Sequence, residues 1–77
     1  MPRLPRVSGK EVIRILERHD FGLSRVRGSH YIYRHKKTGT PVVIPVHRDR
    51  VIPPGTLMNI LRQIGVDAET FARWLQD

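Results

Sequence analysis

Cysteine is absent from the 77 residues, so neither a disulfide nor a thiolate-held zinc can staple the fold. Long hydrophobic runs are absent too. The longest, Val42-Val43-Ile44, lies between prolines and is far shorter than the ~20 residues that span a bilayer. The opening residues, Met1-Pro2-Arg3-Leu4-Pro5-Arg6-Val7, are basic with no apolar stretch behind them, which argues against a secretory signal. Internal repeats, low-complexity segments and a Gly-rich nucleotide loop are all lacking, and the last of these removes kinases and ATPases. The expectation is one soluble cytoplasmic domain over residues 1–77 with no membrane partner. A chain this short buries roughly 60–65% of its surface on folding, so its stability should be marginal.

Acids are also missing where cations gather. From Phe21 to Arg48 there is no Asp or Glu, yet Arg25, Arg27, Arg34, Lys36 and Lys37 cluster there. Residues 1–50 hold twelve Lys/Arg against four acids, whereas residues 51–77 hold two against three. A field so lopsided suits a polyanion on one side of the molecule. The plain alternative is a solvated basic face.

What is present reads as helix, three strands, helix and short helix. Pro2 and Pro5 keep the first residues extended, and Ser8-Gly9-Lys10-Glu11 forms a capping box. Val12, Ile15, Leu16 and His19 follow at amphipathic spacing, which predicts a first helix over residues 8–19. Gly22 is free to take the left-handed conformation that ends it. Strands are expected at Leu23–Arg27, His30–His35 and Pro41–Val46, joined by turns at Gly28-Ser29 and Lys36–Thr40. Prolines 41 and 45 confine the third strand to an edge or to its own ends. Leu57, Ile60, Leu61 and Ile64 mark a helix over Thr56–Ile64 stopped by Gly65, and Asp67 caps a last helix bearing Phe71, Trp74 and Leu75. The fold class is therefore α+β: α-β-β-β-α, a three-stranded antiparallel sheet with helices packed on one face. The other face is left to solvent or to a ligand.

His30 is the first candidate for chemistry. Histidine is the side chain whose ordinary pKa lies near neutrality, so it both takes and gives protons. Gly28 permits close approach of a ligand, and a strand is a rigid mount for the histidine that opens it. As a general base, His30 could take the proton of a ribose 2′-hydroxyl so that the oxygen attacks the neighbouring phosphate. The alternative is a strand histidine packed between neighbours. Ser29 is no triad partner, since adjacent strand residues diverge. His35, five positions after His30, falls on the opposite strand face and reads as a hairpin residue. Arg34 shares the His30 face and could hold a phosphate further along an extended substrate. His47 has three open roles: holding its loop, binding phosphate, or acting as general acid. His19 reads as a structural residue on the first helix. Tyr31 and Tyr33 could stack bases, although packing is the commoner use of aromatics at that spacing. The four histidines are too scattered for a metal site, and an acid-free cationic sector repels a divalent ion. No metal and no cofactor are expected.

In order along the chain, Leu4-Pro5, Ser8-Gly9-Lys10-Glu11-Val12, Gly28-Ser29-His30, Val43-Ile44-Pro45-Val46-His47 and Gly55-Thr56-Leu57 with Ile60-Leu61 resemble the HicA-type toxins of toxin–antitoxin pairs. The resemblance implies a double-stranded-RNA-binding-like fold and an mRNA-cleaving ribonuclease that arrests translation without a metal. It implies that the histidine of the Gly-Ser-His block, here His30, is catalytic. It also implies a HicB-type antitoxin that masks the active surface. The chain departs from the pattern at Met58-Asn59, where many relatives carry a basic residue. The expected RNA contacts are Arg25, Arg27, Gly28, Ser29, Arg34, Lys36, Lys37 and His47. Single-stranded mRNA is favoured over duplex, because the last long helix opens Pro54-Gly55-Thr56-Leu57-Met58-Asn59 without a cation. The rival readings are a non-catalytic RNA-binding module and a protein whose basic face docks an acidic partner.

Overall fold

The computed structural model describes residues 4–77. Its elements run α1 (Gly9–Arg18), β1 (Phe21–Arg27), β2 (His30–His35), β3 (Pro41–Pro45), α2 (Pro54–Ile64) and α3 (Ala68–Gln76). This is the expected α-β-β-β-α order followed by a last helix. The extended conformation expected around Pro2 lies outside the described residues.

α1 starts at its capping box. The Glu11 N–H donates to Ser8 Oγ (3.3 Å) and the Ser8 N–H donates to Glu11 Oε1 (3.0 Å), which satisfies two donors at the helix start. Its apolar stripe of Val12, Ile15 and Leu16 is buried. The helix end corrects the expectation. Asp20, not Gly22, takes the left-handed conformation (φ 67), and Gly22 lies inside β1. A short polar side chain tolerates that conformation, so the strand begins earlier, at buried Phe21.

The strands form an antiparallel meander with β2 in the centre. Arg27 pairs with His30 across the two-residue Gly28-Ser29 turn. Gly28 has φ 58, a positive value that such a turn requires at its first position and glycine adopts without a Cβ penalty. Tyr33 pairs with Leu23 and Val42, while Tyr31 pairs with Val26 and Ile44. Paired residues share a face, and Tyr33, Val42 and Ile44 are buried, so this is the face the helices cover. Leu57, Ile60 and Leu61 of α2, together with Phe71 of α3, complete the core.

One irregularity decides what the other face carries. The register shifts between Leu23 and Arg25, leaving Ser24 as the extra residue of a bulge. In a regular strand Leu23, Arg25 and Arg27 would share a face. The register that runs back from the turn sets Arg27 and Arg25 opposite His30 and Ile32 on the open side, and the bulge beyond them turns Leu23 to the helix side.

The helices are tied down at their ends. Gly65 (φ 74) closes α2 in the left-handed conformation, as expected. Asp67 Oδ1 accepts from the Thr70 N–H (2.8 Å), and hydrogen bonds from Thr70 hold the Asp67 carboxyl below its usual pKa. Trp74 stacks on His19 with ring centroids 3.7 Å apart, and the Arg18 guanidinium donates to the Asp77 carbonyl oxygen (2.7 Å). His19 is thus the structural residue it was expected to be.

Candidate active site

The open face of the sheet presents Arg25 and Arg27 from β1, His30, Ile32 and Arg34 from β2, and Pro41, Val43 and Pro45 from β3. Every one of these is exposed or half-buried, because no helix lies over them. The cations are also unneutralised. Among the described residues the one ion pair is Glu69–Arg73 (3.7 Å), exposed on α3 and remote in sequence from the basic sector. Arg25, Arg27, Arg34, Lys36, Lys37, Arg48 and Arg50 therefore keep their full charge for a polyanion.

At one end of this face the sheet meets α2 and the loop before it, and the junction is a pocket of about 580 Å³. His30, Val43 and Pro45 line it from the sheet, His47, Arg50 and Ile52 from the loop, and Thr56, Asn59 and Gln63 from α2. His30 and His47, 17 positions apart in sequence, thus line one cavity.

The loop bearing His47 is held at both ends. The Val46 N–H donates to the Ser29 carbonyl (2.7 Å), and the Ile52 N–H donates to the Val7 carbonyl (2.8 Å). Between them the Arg50 N–H closes a turn onto the His47 carbonyl (3.0 Å), with Arg48 at φ 54. That left-handed arginine is the kind of local strain a well-anchored loop sustains, typically costing about 1 kcal/mol or more. Gly9 braces the same segment. A methyl there would overlap the Pro45 carbonyl oxygen and press on Val46, so α1 approaches this backbone as only glycine allows.

The other candidates divide by place. Arg27 sits beside His30 in the register, and Arg25 is next along the strand. Gly28 is exposed, and Ser29 lies in the turn rather than on the strand, its carbonyl holding Val46. Arg34 lies about 13 Å along β2 from His30 and donates to the Gly39 carbonyl (3.0 Å). Lys36 and Lys37 lie beyond His35, at least ~17 Å away at the far end of the sheet. The structure gathers Arg25, Arg27, Ser29 and His47 around His30 but not these last three.

His35 falls on the opposite face, as its parity requires. Half-buried, it meets Phe21 edge-on (5.0 Å), while its Nδ1 accepts from the N–H groups of Lys37 (3.2 Å) and Thr38 (3.3 Å). The two tyrosines are packing residues. Tyr33 is buried and donates its hydroxyl to Glu17 Oε2 (3.1 Å), and Tyr31 packs against the core. Burial, with the Glu17 hydrogen bond second, pushes the Tyr33 pKa up to about 12. Buried Tyr33 cannot stack a base, whereas half-buried Tyr31 lies on the helix side of the sheet, away from His30.

Sequence reasoning passed over Arg50, Thr56, Asn59 and Gln63. A signal was present in the helix: positions 56, 59 and 63 recur at i, i+3 and i+7, a polar stripe beside the apolar one. Nothing local marked Arg50 apart from the other loop cations. Among the described residues no three of His, Cys, Asp and Glu come together, and no helix is long and apolar enough to cross a membrane.

Residues 9–66 match the family model of the HicA toxin of bacterial toxin–antitoxin systems. The chain belongs to the HicA toxin family. The match takes in α1, all three strands and α2, and so covers both histidines of the pocket and the stripe on α2. A comparison with curated proteins gives no match. As a HicA toxin the chain is one half of a toxin–antitoxin pair. α3 lies beyond the matched residues, and its ties to His19 and Arg18 make it a brace for α1.

Proposed function

We propose that residues 1–77 form a single toxin domain with endoribonuclease activity, which arrests translation by cutting mRNA. His30 takes the proton of a ribose 2′-hydroxyl. The 2′-oxygen attacks the adjacent phosphorus, the bond to the 5′-oxygen of the next nucleotide breaks, and that oxygen receives a proton. The products are a 2′,3′-cyclic phosphate and a free 5′-hydroxyl. His47, which lines the same pocket, supplies the leaving-group proton.

The observation that carries this reading is an exposed histidine on a rigid strand, sharing a pocket with a second histidine and bordered by unpaired arginines. Arg25 and Arg27 hold the phosphates next to the reacting one. Arg34, Lys36 and Lys37 serve phosphates further along an extended strand. The pocket lining contains no Asp or Glu, which favours metal-independent chemistry because a divalent ion finds no carboxylate there. A single strand fits better than a duplex, since the first turn of α2 has no cation to grip a duplex backbone. The antitoxin is a HicB-type protein that covers this cationic face in the cytoplasm.

The decisive test compares wild type with His30→Ala on a single-stranded RNA, in the presence of chelator. Wild type is expected to cleave and to leave cyclic phosphate ends. His30→Ala should fold, bind RNA and lose about 10²–10⁴-fold in rate. Undiminished cleavage by the folded variant would remove His30 from the chemistry, and loss of wild-type activity to chelator would replace the mechanism with a metal-dependent one.

A further inference from the structure

We infer that the pocket beside His30 is a receptor for one unpaired nucleobase, and that the α2 side chains Asn59 and Gln63 read its edge. The inference rests on the RNA-cleaving reading above and names the part of the substrate that this cavity takes.

The pocket has the size and composition of a small-ligand site. At about 580 Å³ it falls inside the usual range of roughly 300–1,000 Å³. Its apolar lining is Val43, Ile52, Pro53 and Ile60, a surface suited to the flat face of an aromatic ring. The polar lining that α2 contributes beside Ile60 is uncharged: Thr56, Asn59 and Gln63. Phosphate would call for cations there. Neutral amides instead match the mixed donors and acceptors on a base edge.

Gln63 has a fixed sense. Its Oε1 accepts from the Val43 N–H (3.2 Å), so its amide nitrogen is left to donate. A donor held in place by the sheet edge selects a base with an acceptor at that point. Charge is arranged to agree, since His30, His47 and Arg50 line the same cavity and supply the groups that face a sugar and its phosphates. A base can enter only after leaving any helical stack, which makes an unpaired nucleotide the substrate.

The test uses the full chain and single-stranded 2′-O-methyl oligonucleotides of equal length made of A, C or U, which block attack by the 2′-oxygen. Fluorescence anisotropy should give dissociation constants that differ by about 10-fold or more between the best and the worst base. Asn59→Ala and Gln63→Glu should bring that ratio close to one. Gln63→Glu keeps an oxygen for the Val43 N–H and replaces the donor, and the ratio cancels the uniform effect of the added charge. Thermal melts check that both variants fold. Base-independent binding by wild type, or an unchanged ratio in both folded variants, overturns the base pocket. Cleavage of the matching ribo-oligonucleotides is followed in parallel. Selective binding without any cleavage would support the pocket while counting against the catalytic reading, so the two failures are distinct.

Discussion

β2 exposes its two faces to different surroundings, and its six residues divide accordingly. On the helix side, Tyr31, Tyr33 and His35 pack, with each polar tip of Tyr33 and His35 taken up by a partner in the protein. On the open side, His30, Ile32 and Arg34 stand beside Arg25 and Arg27 with no acid to neutralise them. The same side-chain types thus meet opposite fates. His35 is spent on closing a hairpin, and His30 is left at the mouth of a pocket. Burial rather than residue type separates structure from chemistry on this strand, and the period of two enforces the separation.

Exchanging the damage between faces breaks the comparison most directly. Tyr33→Ala should cost about 3–5 kcal/mol by opening a cavity in the core, enough to unfold much of so small a domain. His30→Ala should leave the melting temperature nearly unchanged while cutting the cleavage rate by about 10²–10⁴-fold. Chemical denaturation and a cleavage assay on the two variants measure the split. A His30→Ala protein that melts as early as Tyr33→Ala would show that the open face is structural after all.

Gly9→Ala comes next. On an ordinary helix, alanine would gain up to about 1 kcal/mol over glycine. Here the methyl must push Pro45 and Val46 away, and a net loss of about 1–3 kcal/mol is expected. Because Val46 leads directly into His47, cleavage should fall along with stability. A stabilised, fully active Gly9→Ala would sever the link between the helix start and the pocket.

Smaller effects sharpen the electrostatic side. Removing Arg25 or Arg27 should lower the slope of log K against log salt for single-stranded RNA by about 0.7 each, whereas removing Arg73, already paired on α3, should leave it unchanged. The smallest effect is on pH. Tyr33 has its pKa raised in the folded chain, so the native state binds its proton more tightly than the unfolded state does. Its contribution is therefore fully present below pH 10 and is lost as pH rises from there through about 12. Tyr33→Phe should flatten stability across that window, as measured by denaturant midpoints at successive pH values.

Local chemistry made much of this protein legible before any fold was known. The capping box at Ser8, the apolar stripe of α1, the Gly28-Ser29 turn, the Gly65 stop and the Asp67 cap each depend on neighbours within a few residues. The parity that separates His30 from His35 is local as well. Sequence could not decide which left-handed residue ends α1, because both Asp20 and Gly22 accept that conformation and packing of Phe21 selects between them. The bulge at Ser24 was equally hidden, since it depends on the register of the partner strand, and it turns Leu23 away from the face that carries Arg25, Arg27 and His30. Most of all, the pocket belongs to the tertiary structure. It joins His30 to His47 and to a stripe on α2 nearly thirty residues further on, and only the docking of α2 along the β3 edge brings them to one cavity.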